Sequence, residues 1–205
     1  MNETVEVLTK IINDVLNALY QPFGAAVLLA FIAMFVFIYA KEYKWQKKDL
    51  VKNILSTWFS YFKKSYEFRR VFLLIFYSVM ILSRTVLYRD IWANPLSDVM
   101  GGWGLYDADG NLTTEAIENL MLFIPFAVLL LWAFRKELLG DKPGLKKTLW
   151  VATKTVGIFS FVIEFSQLLF HLGTFQISDL VYNTLGGTVG GLAYYIIYKF
   201  RHRNE

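Results

Sequence analysis

The chain has 205 residues, of which 56% are hydrophobic and 18% aromatic, with a mean hydropathy of +0.40; this is too apolar for a soluble domain of its size. It contains no cysteine, which excludes a disulfide framework, a thiolate metal site and thiol chemistry. The net charge of +4 comes from basic residues beside apolar runs, where positive-inside bias accounts for them, so nucleic acid is not expected as a partner.

The first twenty residues carry Glu3, Glu6, Lys10 and Asp14 and lack a basic segment followed by a cleavage site, so they do not read as a removable signal peptide. Val5, Leu8, Ile12, Val15 and Leu19 instead share one helical face. Pro22 to Ala40 is an uninterrupted apolar run, as a transmembrane helix of about 20 residues requires. A basic stretch follows, in which Leu50, Ile54, Trp58, Tyr61 and Phe62 share a face. This second amphipathic segment either lies on an anionic leaflet or packs against the helix bundle.

Four further spans are expected. Val71 to Tyr88 carries one charge, Arg84, and Ile117 to Phe134 carries Glu118 only at its start. Leu149 to Phe170 contains Lys154 and Glu164, and Leu180 to Phe200 is apolar with four glycines. Lys154, near the cytoplasmic end, is placed to snorkel, and Pro125 is expected to kink or reshape its helix. The segments between spans alternate in charge. Lys41 to Arg70 holds nine basic and three acidic residues, whereas Arg89 to Asn119 holds one basic residue against six acidic ones. Arg135 to Thr148 is basic again, and His171 to Asp179 has no lysine or arginine. Cytoplasmic loops carry the basic excess, which places the N-terminus outside and the C-terminus inside. The expected architecture is an all-α polytopic membrane bundle of about five transmembrane helices. It divides into 1–70 (amphipathic segment, first span, basic amphipathic segment), a four-helix membrane domain over 71–200, and a basic tail over 201–205.

Ionisable groups inside a span cost roughly 2.5–3.5 kcal/mol or more, so each needs a partner, water or a functional reason. Arg84 lies 13 residues beyond Val71 and Glu164 lies 15 beyond Leu149, or roughly 20 and 22 Å from the cytoplasmic ends at ~1.5 Å per residue. Both spans run outward. Asn119, Asp179 and Asn183 open spans that run inward, and Gln167 is one turn past Glu164, so six polar side chains from four helices converge at one outer level. One reading is a polar pocket opening to the outer surface, with Arg84 balancing Glu164 or Asp179. The other is a structural ion pair with interhelical hydrogen bonds. Gly186 and Gly190 continue the face of Asp179 and Asn183 as a small-xxx-small packing surface, widened by Gly187 and Gly191.

The loop Asp107 to Asn111 resembles half of a calcium loop, but Leu105 and Ala116 stand where ligands are needed; it reads instead as a turn at Asp109-Gly110, with Thr113 or Thr114 capping the next helix. His171 is the lone histidine near the cluster, which leaves an interfacial or a proton-transfer role open but not a zinc site. No metal and no cofactor is expected. Gly-rich phosphate loops, GxSxG and HExxH are absent, so no known catalytic motif is present.

Glu164-x-x-Gln167, followed by Asp179-x-x-x-Asn183-Thr184-Leu185-Gly186 and Gly190, resembles the C-terminal signature of the VanZ-like (teicoplanin-resistance-associated) family. Asn119 to Phe126 is similar to that family's Asn-to-Pro-Phe segment, and Arg84 stands where it has an arginine. The resemblance covers about residues 71–200. Two positions depart from it: the loop His171 to Ser178 lacks an arginine common in the family, and Ala127 follows Pro125-Phe126 where glycine is common. The resemblance implies a multi-pass protein of the bacterial plasma membrane linked to teicoplanin-type lipoglycopeptide resistance. Its expected partners are membrane lipids, the lipoglycopeptide itself or a lipid-linked cell-wall precursor. Three mechanisms stay open at this point: lowering antibiotic binding or accumulation at the surface without chemistry; an intramembrane enzyme acting on a cell-envelope lipid or lipid-linked carrier; and a small proton-coupled transporter.

Overall fold

The computed structural model describes residues 3–43, 50–106 and 111–202, with side-chain detail for most of them. The turn expected at Asp109-Gly110 and most of the basic tail lie outside the described residues. Among these residues eight α-helices follow one another: α1 (Glu3–Tyr20), α2 (Phe23–Tyr43), α3 (Leu50–Lys64), α4 (Tyr66–Leu82), α5 (Glu115–Ala133), the short α6 (Arg135–Leu139), α7 (Leu145–Phe170) and α8 (Ile177–Arg201). Among the described residues there is no strand, only an isolated antiparallel bridge between Tyr106 and Leu112.

The five expected spans correspond to α2, α4, α5, α7 and α8. Among the described residues three helices are long and apolar enough to cross a membrane: Tyr66–Leu87, Glu115–Ala133 and Leu145–Phe170. α2 is apolar over Phe23–Phe37. α8 has the length, 25 residues or about 37 Å, but its serine, threonines, asparagine and glycines lower its hydropathy. The outward surface is apolar: Ile158, Phe161 and Phe165 of α7, with Leu185 and Val189 of α8, are all exposed, as lipid-facing side chains are.

α8 is the centre of the bundle, packed between α5 and α7. Its glycines divide into two faces. A Cβ on Gly186 or Gly190 would overlap the backbone oxygen of Leu120 or Ile124 in α5, and one on Gly187 or Gly191 would come within 2.5 Å of Val156 or 2.7 Å of Ala152 in α7. The four therefore do not widen one surface; they let α8 approach two helices at once. α5 continues through Pro125 as one helix. At the end away from α8's N-terminus, Arg70 donates to the Trp132 carbonyl at 3.0 Å and Arg135 lies over the Tyr198 ring.

α2 lays Ala26, Ala30 and Met34, spaced at i,i+4 and fully buried, in the bundle beside α4. α3 packs rather than facing outward: Trp58 is buried against Phe31, Phe62, Phe68 and Phe72. Because that ring anchors α3, Trp58→Ala is expected to cost about 3–5 kcal/mol, the usual range for a buried tryptophan. Faster tryptic cleavage at Lys63 and Lys64 in membrane vesicles would register the loss; unchanged cleavage would show that α3 is held by other contacts. α1 does the opposite, leaving Val5, Leu8, Ile12 and Leu16 exposed while its polar side reaches the bundle through Lys10 Nζ to the Leu112 carbonyl, 2.8 Å.

Candidate functional site

The up-and-down course of the chain brings the C-terminal ends of α4 and α7 and the N-terminal ends of α5 and α8 to one end of the bundle, where they enclose a polar cavity of about 120 Å³. All six residues singled out in the sequence line it. Arg84 comes from the end of α4, Asn119 from α5, Glu164 and Gln167 from α7, and Asp179 and Asn183 from α8. The cavity also takes Thr85, Arg89, Glu115, Thr174 and Gln176, which sequence reasoning had not assigned to it.

Arg84 sits in a single π turn, Ser83–Leu87, that continues α4. Such widened turns rotate side chains out of α-helical register and occur often at functional sites. The guanidinium pairs with Glu118, not with Glu164 or Asp179 as expected from depth alone. Depth cannot rank partners that share a level; the nearest carboxylate belongs to the first turn of α5, one residue before Asn119. Glu118 is only 7% exposed. Its other oxygen meets Thr114 Oγ1 at 2.6 Å, and that hydroxyl also meets Asp14 of α1 at 2.8 Å. Thr114 holds the N-cap position of α5 without capping it by its side chain. The Thr113 hydroxyl accepts instead from the Glu115 N–H.

Burial is graded from wall to mouth. Glu164 and Gln167 are 2% exposed and Asn183 is 3% exposed, whereas Arg89 and Glu115 are open to the surface. Glu164 accepts the Gln176 backbone N–H at 3.0 Å and has no arginine or lysine within ion-pair distance among the described residues. Gln167 donates to the Thr85 carbonyl at 2.7 Å, which fixes its amide orientation and leaves its oxygen without a partner. Asn183 donates to Ser160 Oγ at 2.9 Å, and its oxygen is also unpartnered. The Asn119 amide faces the Asp179 carboxylate. Arg84 Nη1 is buried with no acceptor. Native interiors seldom leave such atoms unpaired, so three of them around one cavity mark a place where a ligand or water supplies the missing bonds.

Arg89 carries the only positive charge between residues 89 and 119, a signal visible in the sequence as an exception within an acidic loop. Its Nη1 lies 3.2 Å from where a Cβ on Gly173 would stand, in the α7–α8 loop. The loop that lacks an arginine of its own thus has one against it, contributed by the α4–α5 connection. That connection is fastened along the α7–α8 loop by Trp92 N–H to the His171 carbonyl, Phe175 N–H to Pro95 and Ile177 N–H to Val99. His171 ends α7 in a left-handed conformation and does not line the cavity. Lys154 is exposed on α7, away from it. Among the described residues, no group of acidic side chains and histidines is arranged to hold a metal ion.

The family model for VanZ/LLP1 matches residues 23–198, most of the chain and all four helices that build the cavity. This chain belongs to the VanZ/LLP1 family. The match begins well before residue 71, so α2 and α3 fall within the family region. Protein VanZ of Enterococcus faecium is 32% identical over 100 residues, which is 49% of this chain and 54% of that protein. The chain therefore spans about half the length of the curated relative it matches. No solved structure matches the chain.

Proposed function

We propose that this VanZ/LLP1-family protein is a multi-pass protein of the bacterial plasma membrane that holds the polar head of a membrane lipid, a lipid-linked cell-wall precursor or a lipid-tailed glycopeptide in the cavity at the outer end of its bundle. In doing so it lowers binding or accumulation of teicoplanin-type antibiotics at the cell surface. The observation that carries this reading is the concentration of polar, partly unsatisfied groups from four membrane helices around one cavity. Family membership supports the link to teicoplanin, and the acidic character of residues 89–119 beside the basic Lys41 to Arg70 stretch supports an outward-facing mouth. Arg89, lying against Gly173, stands in for the missing loop arginine.

Wild type and the Glu164→Gln, Asp179→Asn and Arg84→Ala variants, expressed at matched membrane levels in a susceptible host, test it. Wild type is expected to raise the inhibitory concentration of teicoplanin several-fold while leaving vancomycin unchanged, and each variant is expected to lose that protection. Protection equal in wild type and all three variants would dissociate the cavity from the phenotype, and no protection by wild type would remove the antibiotic from the reading.

A further inference from the structure

The cavity has a chemical polarity that narrows what it holds, given the reading that it holds a lipid head. Its deep wall is made of acceptors: the Glu164 carboxylate, on which Arg89 acts only from beyond ion-pair distance, and the unpartnered amide oxygens of Gln167 and Asn183. Its donors are Arg84 Nη1, buried and without an acceptor, and the Arg89 guanidinium, exposed at the mouth. Counted by charge, the lining has two arginines against Glu115, Glu164 and Asp179, and Arg84 is already engaged by Glu118. A simple anion entering such a site meets a surplus of negative charge. A neutral hydroxylated head would leave the buried Glu164 with no counter-charge nearer than Arg89, which is costly. A group with a positive, donor-rich end and a negative outer end satisfies both. At about 120 Å³ the space is slightly smaller than the ~150 Å³ cavity that admits benzene, so it takes a small terminal group rather than an oligosaccharide.

We infer that the cavity recognises the head of an aminophospholipid, its primary ammonium against Glu164, Gln167 and Asn183 and its phosphate at Arg84 and Arg89. An ammonium offers three N–H donors to three acceptors, and a phosphate diester offers its oxygens to guanidinium groups. Two lipid sources share this chemistry: ethanolamine phospholipids and aminoacylated phosphatidylglycerol. The short ethanolamine arm suits the cavity volume better.

The test uses the full chain, purified in mild detergent and offered an equimolar mixture of dioleoyl phosphatidylethanolamine, phosphatidylcholine, phosphatidylglycerol and alanyl-phosphatidylglycerol, with bound lipid counted by native mass spectrometry. Phosphatidylethanolamine is expected to be retained about tenfold over phosphatidylcholine, which has the same phosphate and positive charge but no N–H, a difference of ~1.4 kcal/mol. Preference for alanyl-phosphatidylglycerol over ethanolamine would still support the ammonium site while naming the other source. Glu164→Gln should erase the preference over phosphatidylcholine, and Arg89→Ala should lower retention of every phospholipid alike. Equal retention of phosphatidylcholine and phosphatidylethanolamine, or phosphatidylglycerol first, overturns the inference while leaving a lipid-head site standing. Retention of no lipid at all overturns it too, and the teicoplanin assay then decides the broader reading separately. The comparison among lipids needs only the wild-type protein, so a variant that fails to fold does not spare the inference.

Discussion

Replacing Gly186 by valine is expected to abolish accumulation of the folded protein. A Cβ there would overlap the Leu120 carbonyl, so the clash is backbone against side chain with no rotamer to relieve it. Overpacking at sites that can adjust costs about 1–3 kcal/mol; here α8 would have to leave α5, so the cost should exceed that range. Gly190→Val should behave the same way, because the Ile124 oxygen stands in the same relation to it. Gly24→Val, at a position where a Cβ has open space, is the control. Size-exclusion profiles of detergent extracts read the result. A monodisperse Gly186→Val protein with wild-type thermal stability would mean that α5 and α8 are not in backbone contact.

The second large effect concerns Arg84 and Glu118, and it is a prediction about order rather than size alone. Arg84→Ala strands a carboxylate that is 7% exposed, a change that typically costs about 3–5 kcal/mol. Glu118→Gln should cost less, since the Arg84 side chain is 28% exposed and retains access to water and to the cavity. The double variant Arg84→Ala/Glu118→Gln should therefore be more stable than Arg84→Ala alone, although it carries one more substitution. Thermal unfolding of the four proteins forms the cycle. A double variant that loses the sum of the two single effects would show that the pair contributes nothing as a pair. The same double variant separates stability from function: it should regain expression without regaining teicoplanin protection, because the cavity still lacks the Arg84 guanidinium.

Much of the fold was legible because the bilayer imposes few options. Uncharged runs near 20 residues, and loops that alternate in basic content, are enough to propose α2, α4, α5, α7 and α8 and their alternating directions. That alternation is also why residues as distant as Arg84 and Asn183 were assigned to one level, where the structure has them lining one cavity. Three things were not legible. Pairing within the level depends on side-chain direction, which the π turn at Ser83–Leu87 changes in a way no helical periodicity anticipates. The share of the site held by connections, Arg89, Thr174 and Gln176, depends on how the long α4–α5 segment folds back along the α7–α8 loop, and that path is set by individual hydrogen bonds such as Phe175 N–H to Pro95. The two amphipathic helices looked alike in pattern yet part ways, because aromatic partners on α2 and α4 cover Trp58 whereas nothing comparable covers Leu8 or Ile12 among the described residues.

The glycine seam also limits which parts of the bundle can move. A helix packed through long side chains can slide or roll by exchanging rotamers, but α8 meets α5 through the Leu120 and Ile124 backbone oxygens and meets α7 through Val156 and Ala152 at their Cβ atoms, whose positions the backbone fixes, so it has little of that play on either side. A motion that sheared α5, α7 and α8 past one another would first have to separate these close contacts. The cavity walls outside that seam are the π turn that holds Arg84 and the connection that bears Arg89, and these are the parts of the site free to adjust without disturbing the glycine contacts.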